Sequence, residues 1–188
     1  MVKVLEEVLY PIPMIRTTPP WFRIKRNYFT VNQCEKILRI AKSRQFRRDH
    51  SEDWDKDVDT QYLLPPDAEW VYSKMARVFA TENVWNFAVT AIVDPVCIQK
   101  YEVGGYNASH SDVDYDTSDH SKLTIIIPLV PSNRWRGGRI KIGGSGVSPS
   151  LDRGDCLVFP SFVPHEVTAV TRGARIILSA WAAGPPLI

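Results

Sequence analysis

Residues 122–130 read Lys-Leu-Thr-Ile-Ile-Ile-Pro-Leu-Val, and residues 175–182 read Arg-Ile-Ile-Leu-Ser-Ala-Trp-Ala. Both runs are short, largely apolar and rich in isoleucine, which is typical of buried β-strands. From residue 83 onward such runs alternate with Gly, Pro and Asp at the spacing of an all-β unit. We predict strands over 86–93, 96–103, 122–130, 138–142, 155–159, 166–170 and 175–182.

The preceding part of the chain predicts helices. A strand over 21–28 comes first, and Thr30 and Gln33 then have the spacing of a capping box that starts a helix over 31–43. Pro65 begins a second helix that runs to about residue 81. Helices followed by strands favour a mainly β, α+β fold, with helices packed on one face of a β-sandwich or barrel.

Residues 48–60 contain five Asp and one Glu around Trp54 and show neither helical nor strand periodicity. We therefore predict a mobile loop, placed in the sequence where a lid over a site would be.

Composition indicates one globular unit. The chain has 188 residues, of which 44% are hydrophobic and 23% charged, and a single hydrophobic core is usual at this length. We predict one domain over 1–188, with the strand and helices at about 21–82 and the β core at about 83–182. The net charge of +2 is too small to indicate nucleic-acid binding.

Cys34, Cys97 and Cys156 are far apart and odd in number, which predicts free thiols in a reducing compartment. The longest largely apolar stretch, 123–130, is too short to span a bilayer. We expect a cytoplasmic protein without a membrane span.

His110-Ser111-Asp112 is the first candidate site. In an extended chain, residues i and i+2 point to the same side, so an imidazole and a carboxylate lie together. His165 falls between two predicted strands, where a sheet could bring it to that pair. Two His and one carboxylate are the ligands of non-haem iron(II) oxygenases. The alternative is a surface His–Asp pair, since this short motif is common by chance.

Arg175 begins an otherwise apolar strand ten residues after His165. A buried arginine without a carboxylate partner is unfavourable, and its planar fork could bind the carboxylate of a dicarboxylate cosubstrate. The alternative is an arginine at a strand end that reaches solvent or pairs with a nearby acid.

With these motifs in order, the chain resembles the prolyl 4-hydroxylase-like branch of the iron(II)/2-oxoglutarate-dependent oxygenases. The motifs that carry the resemblance are Gln99-Lys-Tyr101-Glu-Val-Gly104, His110-x-Asp112, Gly137-Gly138, Gly154-Asp155-Cys-Leu-Val-Phe159, Pro164-His165-Glu166-Val167, Gly173-Ala-Arg175 and Trp181. The resemblance implies a double-stranded β-helix (jelly-roll, cupin-like) with iron at the mouth of the barrel.

The resemblance also implies roles for individual residues. His110, Asp112 and His165 would bind Fe(II), and Arg175 would anchor the C5 carboxylate of 2-oxoglutarate. Tyr101 matches a tyrosine that hydrogen-bonds this cosubstrate, and Thr124 is a further candidate contact. The alternative for each is a residue that only packs within a strand. O₂ would be the oxidant, with ascorbate as a candidate supporting reductant.

The substrate is expected to be a peptidyl proline, or alternatively a free amino acid or other small molecule. Candidate substrate contacts are Asp114, Tyr115, His120, Arg139 and Trp181. The pattern departs from relatives in two places. Ile125-Ile126-Ile127-Pro128 lacks a second tyrosine, and Arg139-Ile140 replaces the more usual Glu-Thr after the glycine pair.

Three rival functions follow from the same residues. A nucleic-acid demethylase would carry a second arginine after the distal histidine, which is missing here. A non-catalytic cupin-like module would bind metal without turnover. A purely structural domain would satisfy its His and Arg residues internally.

Overall fold

The computed structural model describes residues 20–51, 55–113, 121–144 and 146–185. Within these ranges the chain forms two α-helices, one 3₁₀ turn and twelve strands. The helices are α1 Val31–Lys42 and α2 Pro65–Glu82, and the 3₁₀ turn is Ser132–Arg134. The strands are β1 Arg23–Lys25, β2 Arg47–Ser51, β3 Lys56–Leu63, β4 Ala91–Tyr101, β5 Tyr106–His110, β6 Ser121–Pro128, β7 Arg136–Gly137, β8 Ile140–Ile142, β9 Cys156–Pro160, β10 His165–Val167, β11 Val170–Arg172 and β12 Arg175–Ala183. None of the helices in these ranges is long and apolar enough to cross a membrane.

The protein is mainly β, built on one curled antiparallel sheet. Nine of its strands follow the order β1-β9-β6-β12-β4-β3-β5-β10-β8, and β2 pairs with β3 beside this path. Strands β7 and β11 form a separate pair. Because β12 lies between β4 and β6, the strand that carries Arg175 is central in the sheet.

Side chains of β12 point alternately to the two faces of the sheet. Leu178, Ala180 and Ala182 pack with apolar side chains of α1 and α2 in the larger core. Ile177 and Trp181 point the other way and line a cavity that also contains polar side chains. Since side chains alternate along a strand, the candidate site lies on the face opposite to the β12 side chains that join the larger core.

The predicted helix starts are confirmed. The Thr30 hydroxyl accepts a hydrogen bond from the Gln33 backbone at 3.3 Å, and the Gln33 side chain accepts one from the Thr30 backbone at 3.0 Å. Helix α1 ends one residue earlier than predicted, because Ser43 forms the C-cap. Helix α2 begins at Pro65 as predicted.

The prediction of a mobile loop over 48–60 is wrong for the part that the structure describes. Strands β2 and β3 pair there, and β3 also pairs with β4 and β5. Val58 and Leu63 are buried, whereas Asp57 and Asp59 stay partly exposed. Backbone hydrogen bonds to neighbouring strands therefore outweigh the polar local composition. Trp54 lies outside the described residues.

The strand predictions over 86–93 and 96–103 need correction, because one strand, β4, replaces them. Opposite it, Ser179 pairs with Cys97 and Trp181 pairs with Val93, so the register shifts between these pairs. Pro95 lies at this irregularity, where its missing N–H disturbs no regular ladder bond. The predicted strand over 166–170 is likewise divided into β10 and β11, and β5 was not predicted.

Candidate metal and cosubstrate site

Two adjacent strands bring the predicted metal ligands together. His110 ends β5 and His165 begins β10, and the two residues are direct partners in the antiparallel ladder. Asp112 follows two residues after His110, and its backbone N–H donates to the carbonyl of Ser161 at 2.8 Å. The 55-residue separation between the histidines in sequence is thus closed by strand pairing.

The three side chains converge on one point. Nε2 of His110 lies 3.5 Å from Oδ1 of Asp112, and Nε2 of His165 lies 3.6 Å from Oδ2 of the same carboxylate. One ligand atom from each residue can be chosen so that all lie within 4.8 Å of one another. Two imidazoles and one carboxylate at this spacing fit an iron(II) ion that keeps open coordination positions.

Backbone carbonyls fix the orientation of both rings. Nδ1 of His110 lies 2.8 Å from the carbonyl oxygen of Ala108, and Nδ1 of His165 lies 3.1 Å from that of Val163. Because a carbonyl only accepts, each Nδ1 carries a proton, which leaves Nε2 of the neutral ring free to ligate a metal. This is the arrangement that metal-binding histidines use.

The Asp112 carboxylate is held from behind by Thr124. The Thr124 hydroxyl donates to Oδ2 of Asp112 at 2.6 Å and lies 3.1 Å from the hydroxyl of Ser161. Thr124 was expected to contact the cosubstrate, and the structure places its hydroxyl against the metal-facing carboxylate. We interpret Thr124 as a residue that positions Asp112.

Burial and mutual contacts set the charge of the cluster. Burial tends to raise the pKa of Asp112, but its hydrogen bond with His110 and the nearby His165 and Thr124 hold it below the usual value. Burial lowers the pKa of His165. For His110, burial pulls the pKa down, while the contacts with Asp112 and Ala108 outweigh it and raise the pKa. A carboxylate beside a neutral His165 suits a divalent cation.

Arg175 is a buried cation with an unsatisfied donor. Its side chain is 2% exposed, and within the described ranges its Nη1 has no hydrogen-bond partner and its guanidinium no carboxylate. The guanidinium carbon lies 5.3 Å from the centre of the Tyr101 ring, and burial lowers the pKa of Arg175. A cation–π contact only partly offsets burial of this charge. The donor set therefore fits an anionic ligand.

Tyr101 and Trp181 line the same cavity as the three candidate metal ligands, His110, Asp112 and His165. Burial raises the pKa of Tyr101 to about 12, so its hydroxyl stays protonated. The Trp181 indole nitrogen is buried and has no acceptor among the described residues. The cavity volume of about 30 Å³ is enough for an ion or a water molecule.

The other predicted substrate contacts are placed differently. Arg139 lines a separate, larger cavity that includes Arg175 but none of the three metal-cluster residues. Asp114, Tyr115 and His120 lie outside the described residues.

Two residues beside the cluster were not singled out from the sequence. Ser161 contacts both Thr124 and the backbone of Asp112, and Nδ2 of Asn107 lies 3.3 Å from Nε2 of His110. Asn107 precedes His110 by three residues, but only the pairing of β5 with its neighbours brings it to the site. Nothing in the sequence near Ser161 indicates its contact.

The family model of the 2OG-Fe(II) oxygenase superfamily matches residues 96–183, a range that includes all three cluster residues and Arg175. This part of the chain is therefore similar to the 2OG-Fe(II) oxygenase superfamily. The chain is also 30% identical to a PKHD-type hydroxylase of Idiomarina loihiensis over 103 residues, which are 51% of this chain and 47% of that protein. A PKHD-type hydroxylase of Prochlorococcus marinus is 31% identical over 107 residues, 56% of this chain and 48% of that protein. The chain spans about half the length of the curated relatives it matches.

Two solved structures show the same fold. A prolyl-4-hydroxylase of Pseudomonas putida superposes with a TM-score of 0.71 at 17% identity, over 88% of this chain and 93% of that one. A prolyl hydroxylase of Trichoplax adhaerens, solved with a hypoxia inducible factor peptide fragment, gives 0.66 at 17% identity, over 87% and 83%.

Proposed function

We propose that this protein is an Fe(II)- and 2-oxoglutarate-dependent dioxygenase that hydroxylates an amino-acid side chain, with peptidyl proline as the leading substrate. The observation that carries the proposal is the convergence of His110, Asp112 and His165 on a cavity that Tyr101 also lines. The buried Arg175 guanidinium lies 5.3 Å from the Tyr101 ring and has no carboxylate partner among the described residues. Either feature alone has simpler explanations. Together they provide a metal site and an anchor for a dicarboxylate.

Each group has a defined task in this proposal. His110, Asp112 and His165 hold the iron, and Thr124 keeps the carboxylate directed at it. The Arg175 fork binds the C5 carboxylate of 2-oxoglutarate through charge-assisted hydrogen bonds. When bound, iron and 2-oxoglutarate with O₂ convert a substrate C–H to C–OH and release succinate and CO₂.

Binding of the cosubstrate requires side chains to move. The cavity of about 30 Å³ is too small for a five-carbon dicarboxylate. Trp181 is the best candidate for this movement, because its indole N–H has no hydrogen bond to lose among the described residues. After this movement, the Trp181 N–H and the Tyr101 hydroxyl are available to bind cosubstrate or substrate. Ascorbate is a candidate reductant for iron that has been oxidised without turnover.

The peptide substrate is inferred from relatives. The curated relatives are named PKHD-type hydroxylases, and several of the structural neighbours are prolyl hydroxylases, one of them solved with a peptide. We further propose that the curled sheet is a double-stranded β-helix with both helices on one face, forming one domain. The larger core, shared by helix and sheet residues, supports that arrangement. Three buried free cysteines support a reducing, cytoplasmic location.

A succinate-release assay with Fe(II), 2-oxoglutarate and O₂ tests the proposal against panels of proline-containing peptides and free amino acids. We expect stimulation by peptides and complete loss in Asp112→Ala, because the carboxylate ligand is removed. The matched control is Asp59→Ala, a partly exposed aspartate on β3 outside the site. Stimulation of succinate release by free amino acids alone would show that the substrate is a free amino acid and not a peptide. Metal binding without succinate in either panel would favour the non-catalytic module.

A further inference from the structure

A second cavity lies on another side of Arg175. Its volume is about 420 Å³, and it is lined by Arg136, Arg139 and Arg175 together with Trp135 and serine hydroxyls. No aspartate or glutamate is among the lining residues described. The cavity therefore concentrates positive charge in a space large enough for a small molecule.

Arg175 reaches this cavity because of Gly138. A Cβ atom added at Gly138 would lie 3.1 Å from Cδ of Arg175 and 2.8 Å from a methyl group of Val170. The bare backbone thus leaves space for the arginine stem. The whole residue is 2% exposed, and its buried Nη1 has no hydrogen-bond partner among the described residues, so an acceptor that reaches it would satisfy a buried donor.

The other two arginines are also without counterions. In the described part of the chain, the Arg136 side chain donates only to the carbonyl oxygen of Trp135 at 3.2 Å. The hydrogen bond given for Arg139 runs from its backbone to the Thr168 hydroxyl, at 2.9 Å. Neither guanidinium forms an ion pair there, so both forks are available to a ligand that enters the cavity.

We propose that this cavity binds a small polyanion that carries carboxylate or phosphate groups, contacted by Arg136, Arg139 and Arg175. The site is separate from the metal cluster, since none of His110, Asp112 and His165 lines it. A planar guanidinium fork matches both carboxylate and phosphate oxygens, and the absence of acidic residues from its described lining disfavours cations.

The shared residue has a regulatory consequence, which rests on the proposed function. If Arg175 also anchors 2-oxoglutarate, an anion in the cavity competes for the same guanidinium. Each ligand then raises the dissociation constant of the other by the same factor, because coupling between two binding sites is reciprocal.

Isothermal titration calorimetry of the full chain tests the site directly, without metal or 2-oxoglutarate. Citrate, succinate and inorganic phosphate are titrated separately at constant ionic strength, so that general screening is the same in every titration. We expect saturable binding of one mole per mole. Because Arg175 also belongs to the proposed 2-oxoglutarate site, saturable binding supports the cavity site when Arg136→Gln or Arg139→Gln weakens it, and binding that both variants leave unaltered refutes it. Absence of saturable binding by all three overturns it.

Matched variants separate the cavity from general surface charge. Arg136→Gln and Arg139→Gln should each raise the dissociation constant about tenfold, the loss expected for a charge-assisted hydrogen bond. Arg134 lies in the same loop but does not line the cavity. Arg134→Gln therefore removes the same charge and should change the dissociation constant less than about twofold. Equal weakening by all three variants would show unspecific attraction and refute the proposal. Unaltered melting temperatures verify the fold.

The outcomes distinguish this inference from the proposed function. Citrate binding in the cavity without any succinate release would support the cavity site and refute the proposed dioxygenase function. Succinate release with no citrate, succinate or phosphate binding in the cavity would do the reverse.

Discussion

Replacing Arg175 with methionine should move stability and cosubstrate affinity in opposite directions. The side chain is 2% exposed and has an unsatisfied Nη1, and an unsatisfied buried donor costs about 1–3 kcal/mol. The contact with the Tyr101 ring, at 5.3 Å, returns about 0.5–1 kcal/mol. Methionine fills similar volume without the charge. The net gain of about 1 kcal/mol should raise the melting temperature of the ligand-free protein by about 2–4 °C.

The same substitution should abolish tight binding of 2-oxoglutarate. Two charge-assisted hydrogen bonds at about 1.5 kcal/mol each correspond to an affinity loss of at least about a hundredfold. Differential scanning fluorimetry measures the first effect, and anaerobic calorimetry with Mn(II) in place of iron measures the second. Arg172→Met is the matched control, because Arg172 is exposed on β11, and it should leave both values nearly unaltered. A destabilised Arg175→Met protein with normal affinity would refute the role of Arg175.

Three further substitutions test other parts of the structure. Thr124→Val removes the 2.6 Å hydrogen bond to Asp112 and should weaken Mn(II) binding about 10- to 100-fold in an equilibrium titration; unchanged affinity would rule out positioning by Thr124. Thr30→Ala removes the α1 cap and should lower stability by about 1 kcal/mol in urea unfolding while leaving Mn(II) affinity intact. Gly154→Ala places a Cβ 2.0 Å from the Phe29 carbonyl oxygen at φ +83° and should lower stability by about 3 kcal/mol, whereas Gly144→Ala, with open space around its Cβ, should have little effect.

Local rules predicted the features that depend on neighbouring residues. The capping box at Thr30 and the proline start of α2 were predictable, because a helix end is determined by a few adjacent side chains. The apolar runs of β6 and β12 were also found, since both strands are largely buried. The resemblance to the oxygenases also indicated His110, Asp112 and His165, and the structure brings these three side chains together.

Features that depend on distant pairing could not be read in the same way. The polar strand β3 is held by backbone bonds to β4 and β5, which its own side chains do not reveal. The predicted strands 86–93 and 96–103 left a gap that contains Pro95, yet a register shift opposite this gap lets β4 continue. Ser161 and Asn107 reach the metal cluster only through the sheet, so no local motif indicates them.

A crystal structure of the protein grown with Mn(II) and 2-oxoglutarate under anaerobic conditions would show the metal ligands and the cosubstrate anchor together. We expect one metal ion ligated by His110, Asp112 and His165, with the distal carboxylate of 2-oxoglutarate on the Arg175 guanidinium. Metal bound elsewhere, or 2-oxoglutarate bound without contact to Arg175, would contradict this expectation.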